Sequence, residues 1–333
     1  MMDTVFLYAG QGSQKPGMGL DFYEQYPRYR AAADAVNPGF DHLKLMHEGP
    51  SELLSRTEYT QFCMGVFQAG VTELLLDAGV KPAAACGLSL GEYGALLAAG
   101  VFSVPYYLEL LQFRGEAMAE AAKGLHCCMS AVLGPDCETV RAACDQYNRG
   151  AGRVTVANCN CPGQTVICGD EESVAAAEAL LREKGARRFV HLQVSGPFHT
   201  PYMAPAGDAL RQKFASMQLR APEIPVAMNV TGWFYDSEEE LRLRQDPQGI
   251  PGRTDREKLT ELLVRQVQST VLLEQDLRTL LEAGYTDFTE IGPGNTMAGF
   301  LKKTAKAVGK TVTVRSIESA EDFRAAVQAL REN

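Results

Sequence analysis

Apolar and polar positions change period several times along the chain, and each change marks an element. Val5 to Ala9 is an unbroken apolar run that reads as a short buried strand. It runs into a glycine-rich turn, Gly10-Gln11-Gly12-Ser13-Gln14. From Gln61 to Asp77 the residues Met64, Phe67, Val71, Leu74 and Leu75 recur at helical spacing until Lys81-Pro82 breaks the pattern. Ala83 to Cys86 predicts a second short buried strand. The turn Gly87-Leu88-Ser89-Leu90-Gly91 and a helix from Glu92 to Ala99 follow it, and another helix is expected over Pro105 to Ala122.

Between Cys127 and Ser195 the rhythm shortens. Cys128 to Leu133, Val154 to Asn158, Gln164 to Cys168 and Phe189 to Val194 are strand-like. Asp136 to Tyr147 and Glu171 to Lys184 are helical. The order β-α-β-β-α-β is that of a ferredoxin-like sandwich. We therefore expect an α/β core formed by residues 1–125 and 197–333, with residues 126–196 as an inserted ferredoxin-like α+β subdomain. Asp236 to Lys258, polar and carrying Pro247, Gly249, Pro251 and Gly252, reads as an exposed excursion. Helical sequence resumes at Leu259. Asp287 to Ile291 is the last expected strand, entering Gly292-Pro293-Gly294 ahead of a helix over Thr296 to Ala307.

With 333 residues, 46% hydrophobic and 22% charged, the chain can bury a sizeable core. No secretory signal or membrane span is visible, so a cytoplasmic protein is expected. A formal charge of -9 argues against nucleic acid or an anionic membrane surface as the main partner. The nine cysteines contain no C-x-x-C pair, and they read as buried, reduced thiols without a metal. Cys159 and Cys161 alternate along a strand, which would point both side chains the same way.

Gly87-Leu88-Ser89-Leu90-Gly91 is a G-x-S-x-G turn between a predicted strand and a predicted helix, the context that makes such a serine a nucleophile. Its hydroxyl would stand at a helix start, where free N–H groups favour developing negative charge. An alcohol needs a base. Of His42, His47, His126, His191 and His199, only His199 stands in a stiff loop bounded by prolines, Pro197-Phe198-His199-Thr200-Pro201. No histidine follows it, whereas the usual esterase plan places the histidine late.

These blocks, together with Phe113-Arg114-Gly115-Glu116, Asn229-Val230-Thr231-Gly232, Arg265-Gln266-Val267 and Glu290-Ile291-Gly292-Pro293-Gly294, closely resemble the malonyl-CoA:acyl carrier protein transacylases of fatty acid synthesis. The resemblance covers nearly the whole chain. It implies a hydrolase-like α/β core with a ferredoxin-like insertion, acting as a monomer on malonyl-CoA and acyl carrier protein without a cofactor. By resemblance Ser89 is the nucleophile and His199 the general base. The main-chain N–H groups of Gln11 and Leu90 form the oxyanion hole. Arg114 grips the malonyl carboxylate, and a main-chain carbonyl near Gln266 orients the histidine. Arg187 and Arg188 match basic positions used to dock the acidic carrier.

The sequence departs from the family pattern at three positions. Leu88 stands where many members have His, and Thr270 and Leu273 where Pro and Trp are common. An acyltransferase of a polyketide pathway, a serine hydrolase and an inactive scaffold are the competing readings.

Overall fold

The computed structural model describes residues 4–149, 153–192, 196–237 and 254–332. Strands β1 (Thr4–Tyr8), β2 (Pro82–Gly87), β9 (Asp287–Ile291) and β10 (Thr313–Ile317) form a parallel sheet in the order β10-β9-β1-β2. Strands β1 and β2, buried along nearly their whole length, read as apolar runs rather than alternations, as parallel strands do. β10 is a correction: the sequence pattern ended its strands at Ile291. The reason is visible in β10 itself, Thr-Val-Arg-Ser-Ile, a half-buried edge strand with little apolar signal.

Four short helices follow β1: α1 (Leu20–Gln25), α2 (Pro27–Ala33), α3 (His42–Glu48) and α4 (Ser51–Leu54). The 21-residue α5 (Thr57–Asp77) is buried around almost its whole circumference, packed between α2 and α7 (Val104–Ala122). Helix α6 (Leu90–Ala98) follows β2 directly.

The second sheet is antiparallel, with β3 (Cys128–Leu133), β4 (Val154–Cys161), β5 (Gln164–Gly169) and β6 (Arg188–Leu192) in the order β4-β5-β3-β6. Helices α8 (Cys137–Asn148) and α9 (Glu171–Glu183) cover one face. Each begins with an aspartate that accepts a main-chain N–H: Asp136 from Thr139, and Asp170 from Ser173. Met129, Ala131, Val166 and Cys168 on the other face join the main core, so the two sheets share one apolar interior. This α/β core with a separate antiparallel sheet is the expected fold class.

Two cysteine expectations are corrected. Cys137 and Cys159 are joined in a disulfide with Cα atoms 5.7 Å apart, because α8 lies on β4 and brings its first residue over that strand. Cys159 and Cys161 also face different clusters. A register shift lies between them, and the extra residue turns Cys161 toward the core while Cys159 stays under the helices.

The chain returns through α10 (Ala204–Ala215), a small hairpin of β7 (Ala227–Met228) and β8 (Trp233–Phe234), and α11 (Asp255–Gln266). Helix α11 starts four residues before the expected Leu259. Thr254 and Glu257 form a reciprocal cap that holds its first turn. Most of the expected polar excursion, residues 238–253, lies outside the described residues. Helices α12 (Leu273–Glu282), α13 (Thr296–Ala307) and α14 (Ala320–Glu332) complete the chain.

Candidate active site

Ser89 occupies the corner between β2 and α6 with φ 56° and ψ -103°, a conformation L-residues rarely adopt. The flanking glycines are required by contact. A Cβ on Gly87 would strike the main chain of Gly91, and one on Gly91 would strike the carbonyl of Tyr8 on β1. The corner can therefore be as tight as it is only with these residues.

The proline-bounded loop delivers His199, also at positive φ (61°), to the same point. Ser89 Oγ and His199 Nε2 are 2.8 Å apart. His199 Nδ1 lies 2.8 Å from the main-chain oxygen of Gln266, and the His199 N–H donates to Val267 O, so the loop is fastened to the end of α11. A carbonyl can only accept, which puts the ring proton on Nδ1 and leaves the Nε2 lone pair facing the serine hydroxyl. Burial, and then the charge of Arg114, pushes His199 down to about 4, so the imidazole is neutral at physiological pH.

Arg114 is fully buried in the middle of α7. It donates to Gln61 Oε1 (2.5 Å), Gln266 Oε1 (2.9 Å) and Ser89 Oγ (3.2 Å), and its guanidinium stands 5.1 Å from the ring centre of Tyr93. Among the described residues no carboxylate forms an ion pair with it, and its Nε is unpartnered. Burial lowers its affinity for the proton, and a cation held by neutral partners beside a nucleophile is prepared for an anionic group. Glu109 and Glu116, on the same helix, form no ion pair with it.

The Leu90 N–H, at the first position of α6, and the Gln11 N–H, in the turn after β1, donate to no protein acceptor among the described residues. Gln11 lines the same cavity as Ser89, and its side chain is tied to Thr57 and Gln61. That cavity has a volume of about 240 Å³. The core contributes Ser89, His199 and Gln61 to its walls; the antiparallel sheet contributes Met129, Val166 and Leu192; α13 contributes Thr296 and Phe300. Leu88, the departure in the turn, contributes an apolar side chain to the same wall.

Arg187 and Arg188 are not at this site. Both are exposed at the start of β6, whose far end, Leu192, reaches the cavity about 13 Å of strand away. Gln61, Glu92, Asn229 and Asp276, by contrast, hold the serine or the groups that contact it, and were given no role from sequence. Asn229 lies inside a motif block and Glu92 directly after one, but nothing in their spacing shows that they meet. Gln61 and Asp276 are polar residues on otherwise buried helical faces, the one signal that could have found them.

Residues 5–329 match the family model of the acyl transferase domain. A malonyl CoA-acyl carrier protein transacylase of Bacillus subtilis is 34% identical over 334 residues, covering all of this chain and 98% of that protein. The chain belongs to the acyl transferase family of the malonyl CoA-acyl carrier protein transacylases. Solved structures of the family superpose closely. MCAT from Streptococcus pneumoniae has a TM-score of 0.86 at 34% identity, covering 98% of this chain and 100% of that one. A malonyl-transacylase in complex with the acyl-carrier protein of a type II polyketide synthase has a TM-score of 0.85 at 29% identity, covering 98% and 99%. Among the described residues no group of His, Cys, Asp or Glu could hold a metal ion, and no helix is long and apolar enough to cross a membrane.

Proposed function

We propose that this chain transfers a malonyl group from malonyl-CoA to the pantetheine thiol of an acyl carrier protein through a malonyl-serine intermediate. One observation carries the reading: the Ser89 hydroxyl lies between a neutral His199 at 2.8 Å and a buried, carboxylate-free Arg114 at 3.2 Å. A base makes the serine a nucleophile, and the adjacent guanidinium selects an acyl group that carries its own carboxylate.

In the first half-reaction Ser89 Oγ attacks the thioester carbonyl while His199 Nε2 takes its proton. The N–H groups of Leu90 and Gln11 stabilise the tetrahedral oxyanion, each worth about 2.7–4 kcal/mol of barrier. His199 returns the proton to the departing coenzyme A sulfur as the C–S bond breaks. The carrier thiol then enters by the reverse chemistry, with His199 again accepting a proton. A neutral acetyl group would leave the guanidinium buried without an anion, which disfavours it. The mechanism uses only this chain's own groups and the two thiol partners, with no cofactor. Action as a monomer is part of this proposal.

Arg187 and Arg188 form an exposed basic pair on the strand that leads to the cavity. We infer that they steer an acidic carrier toward it.

Mass spectrometry of the protein mixed with malonyl-CoA tests the reading. A malonyl adduct on Ser89 that discharges to carrier protein faster than to water is expected. The Ser89→Ala variant should form none, and an adduct persisting there would remove Ser89 from its role. Preferential discharge to water would make the protein a hydrolase instead.

A further inference from the structure

A strained nucleophile has to be held, and the structure shows what holds this one. Ser89 has each of its main-chain polar groups bound by a side chain from a distant part of the sequence. Its N–H donates to Asn229 Oδ1 (2.9 Å), and its carbonyl accepts from Gln266 Nε2 (2.7 Å). Gln266 is itself tied to Arg114 and, more loosely, to Asn229. Asn229 is the hub of this arrangement. Its Nδ2 donates to Gly87 O and to Asp276 Oδ2, both at 2.8 Å, and its main-chain N–H donates to Glu92 Oε1 at 2.6 Å. The side-chain amide therefore grips the turn at Gly87 and at the nucleophile itself.

Two carboxyl groups stand behind Asn229. Glu92 and Asp276 are both buried, and neither has a cationic partner within ion-pair distance among the described residues. Each keeps one oxygen, Glu92 Oε2 and Asp276 Oδ1, without a hydrogen-bond partner. Burying two such groups is costly, and only the hydrogen bonds they accept offset it. What both do is accept hydrogen bonds from Asn229. Gly87 O fixes which way the side-chain amide faces, because a main-chain carbonyl can only accept and so takes the NH₂ end, and Asp276 Oδ2 accepts from the same nitrogen. That leaves Oδ1 for the Ser89 N–H.

We propose that Asn229 is the positioning residue of the nucleophile, and that Glu92 and Asp276 act through it, Glu92 by holding its main chain and Asp276 by reinforcing the set of its side-chain amide. Two consequences follow. The Ser89 N–H is withdrawn from the site, so that developing oxyanion charge falls to the donors of Leu90 and Gln11. The hydroxyl is held where His199 Nε2 meets it at 2.8 Å, instead of swinging with a relaxed turn. Burial raises both carboxyl groups, Glu92 to about 8 and Asp276 well above the usual carboxylate range. A neutral Asp276 supplies the acceptor oxygen as well as a charged one, so an amide should replace it.

The inference rests on the acyltransfer reading, and pre-steady-state acylation by malonyl-CoA separates the two. The amplitude of adduct formation reports the fraction of folded sites, and the rate constant reports the placement of the hydroxyl. Wild-type protein should acylate fully. Asn229→Ala should reach the same amplitude per folded molecule with a rate constant about 100-fold lower and an unchanged half-saturating malonyl-CoA concentration. Asp276→Ala should fall by about 10-fold, whereas Asp276→Asn, which keeps an acceptor oxygen, should stay within about 2-fold of wild type. Absence of any wild-type adduct would overturn the reading and this inference with it. Wild-type rate constants in Asn229→Ala would overturn the inference alone. Should Asn229→Ala not fold, equal rates in Asp276→Ala and Asp276→Asn would do the same, since a merely structural carboxyl lowers amplitude and melting temperature but not rate per site.

Discussion

Ser89 and His199 sit at φ 56° and 61°, two of the three non-glycine residues at positive φ among those described. Strain of this kind costs about 1–3 kcal/mol per residue and persists only where neighbours over-determine it. Here they do. Asn229 and Gln266 hold Ser89, and the main chain of Gln266 and Val267 holds His199. The electrostatics follow from the same crowding. His199 lies at about 4, lowered first by burial and then by Arg114. A base that far below neutrality stays competent until the medium is acidic, so the acid limb of kcat/KM in the free enzyme should fall near pH 4. Arg114→Ala removes the second cause and should move that limb upward, toward the ordinary imidazole value of about 6.5. In the same variant malonyl transfer should fall by about 2–4 kcal/mol, roughly 30- to 1,000-fold, while acetyl transfer is spared or gains. Paired kinetics with the two thioesters check this, and equal losses would show that the arginine does not read the carboxylate.

At the scale of elements, the site depends on how closely β1, β2 and α6 approach. Gly91 touches the main chain of Tyr8, and the Leu88 N–H donates to Tyr8 O, so the first turn of α6 is pressed against the neighbouring strand. Gly91→Ala leaves the helix-forming tendency of α6 intact or better, yet forces these elements apart. A loss of about 1–3 kcal/mol is expected, read as a lower denaturant midpoint with an unchanged slope. The antiparallel sheet illustrates the opposite limit of sequence reading. Its elements were legible because its strands are short and bounded by turn residues, and its two helices are amphipathic and capped by aspartate. Its bulge between Cys159 and Cys161, and the disulfide from Cys137, were not, because a register shift leaves no mark in a pattern of alternation. We propose residues 126–196 as an inserted ferredoxin-like subdomain, since its described sheet has helices on one face and on the other packs on the core and lines the cavity.

For the whole molecule, a formal charge of -9 opposes an acidic partner, so any attraction must be local. Arg187 and Arg188 supply one basic patch. The outer face of α13 supplies a second, with Lys302 and Lys303 exposed on a helix whose Thr296 and Phe300 line the cavity. Charge reversal at Arg187 and Arg188 should raise the apparent KM for carrier protein at low salt, by roughly 10-fold, while acylation by malonyl-CoA is unchanged. No change at low salt would take the pair out of the docking surface.

What the sequence determined by itself is what depends on neighbours along the chain. The strand-turn-helix of residues 82–98, the proline-stiffened loop around His199 and the β-α-β-β-α-β order are all local patterns, and local sterics and periodicity suffice to read them. The meeting of Ser89 with His199, 110 positions away, with Asn229 at 140 and with Gln266 at 177 was decided by the tertiary structure. Arg114 became a buried cation without a carboxylate for the same reason. Burial and hydrogen-bond partners are properties of the packed chain, and an isolated residue in a sequence carries neither.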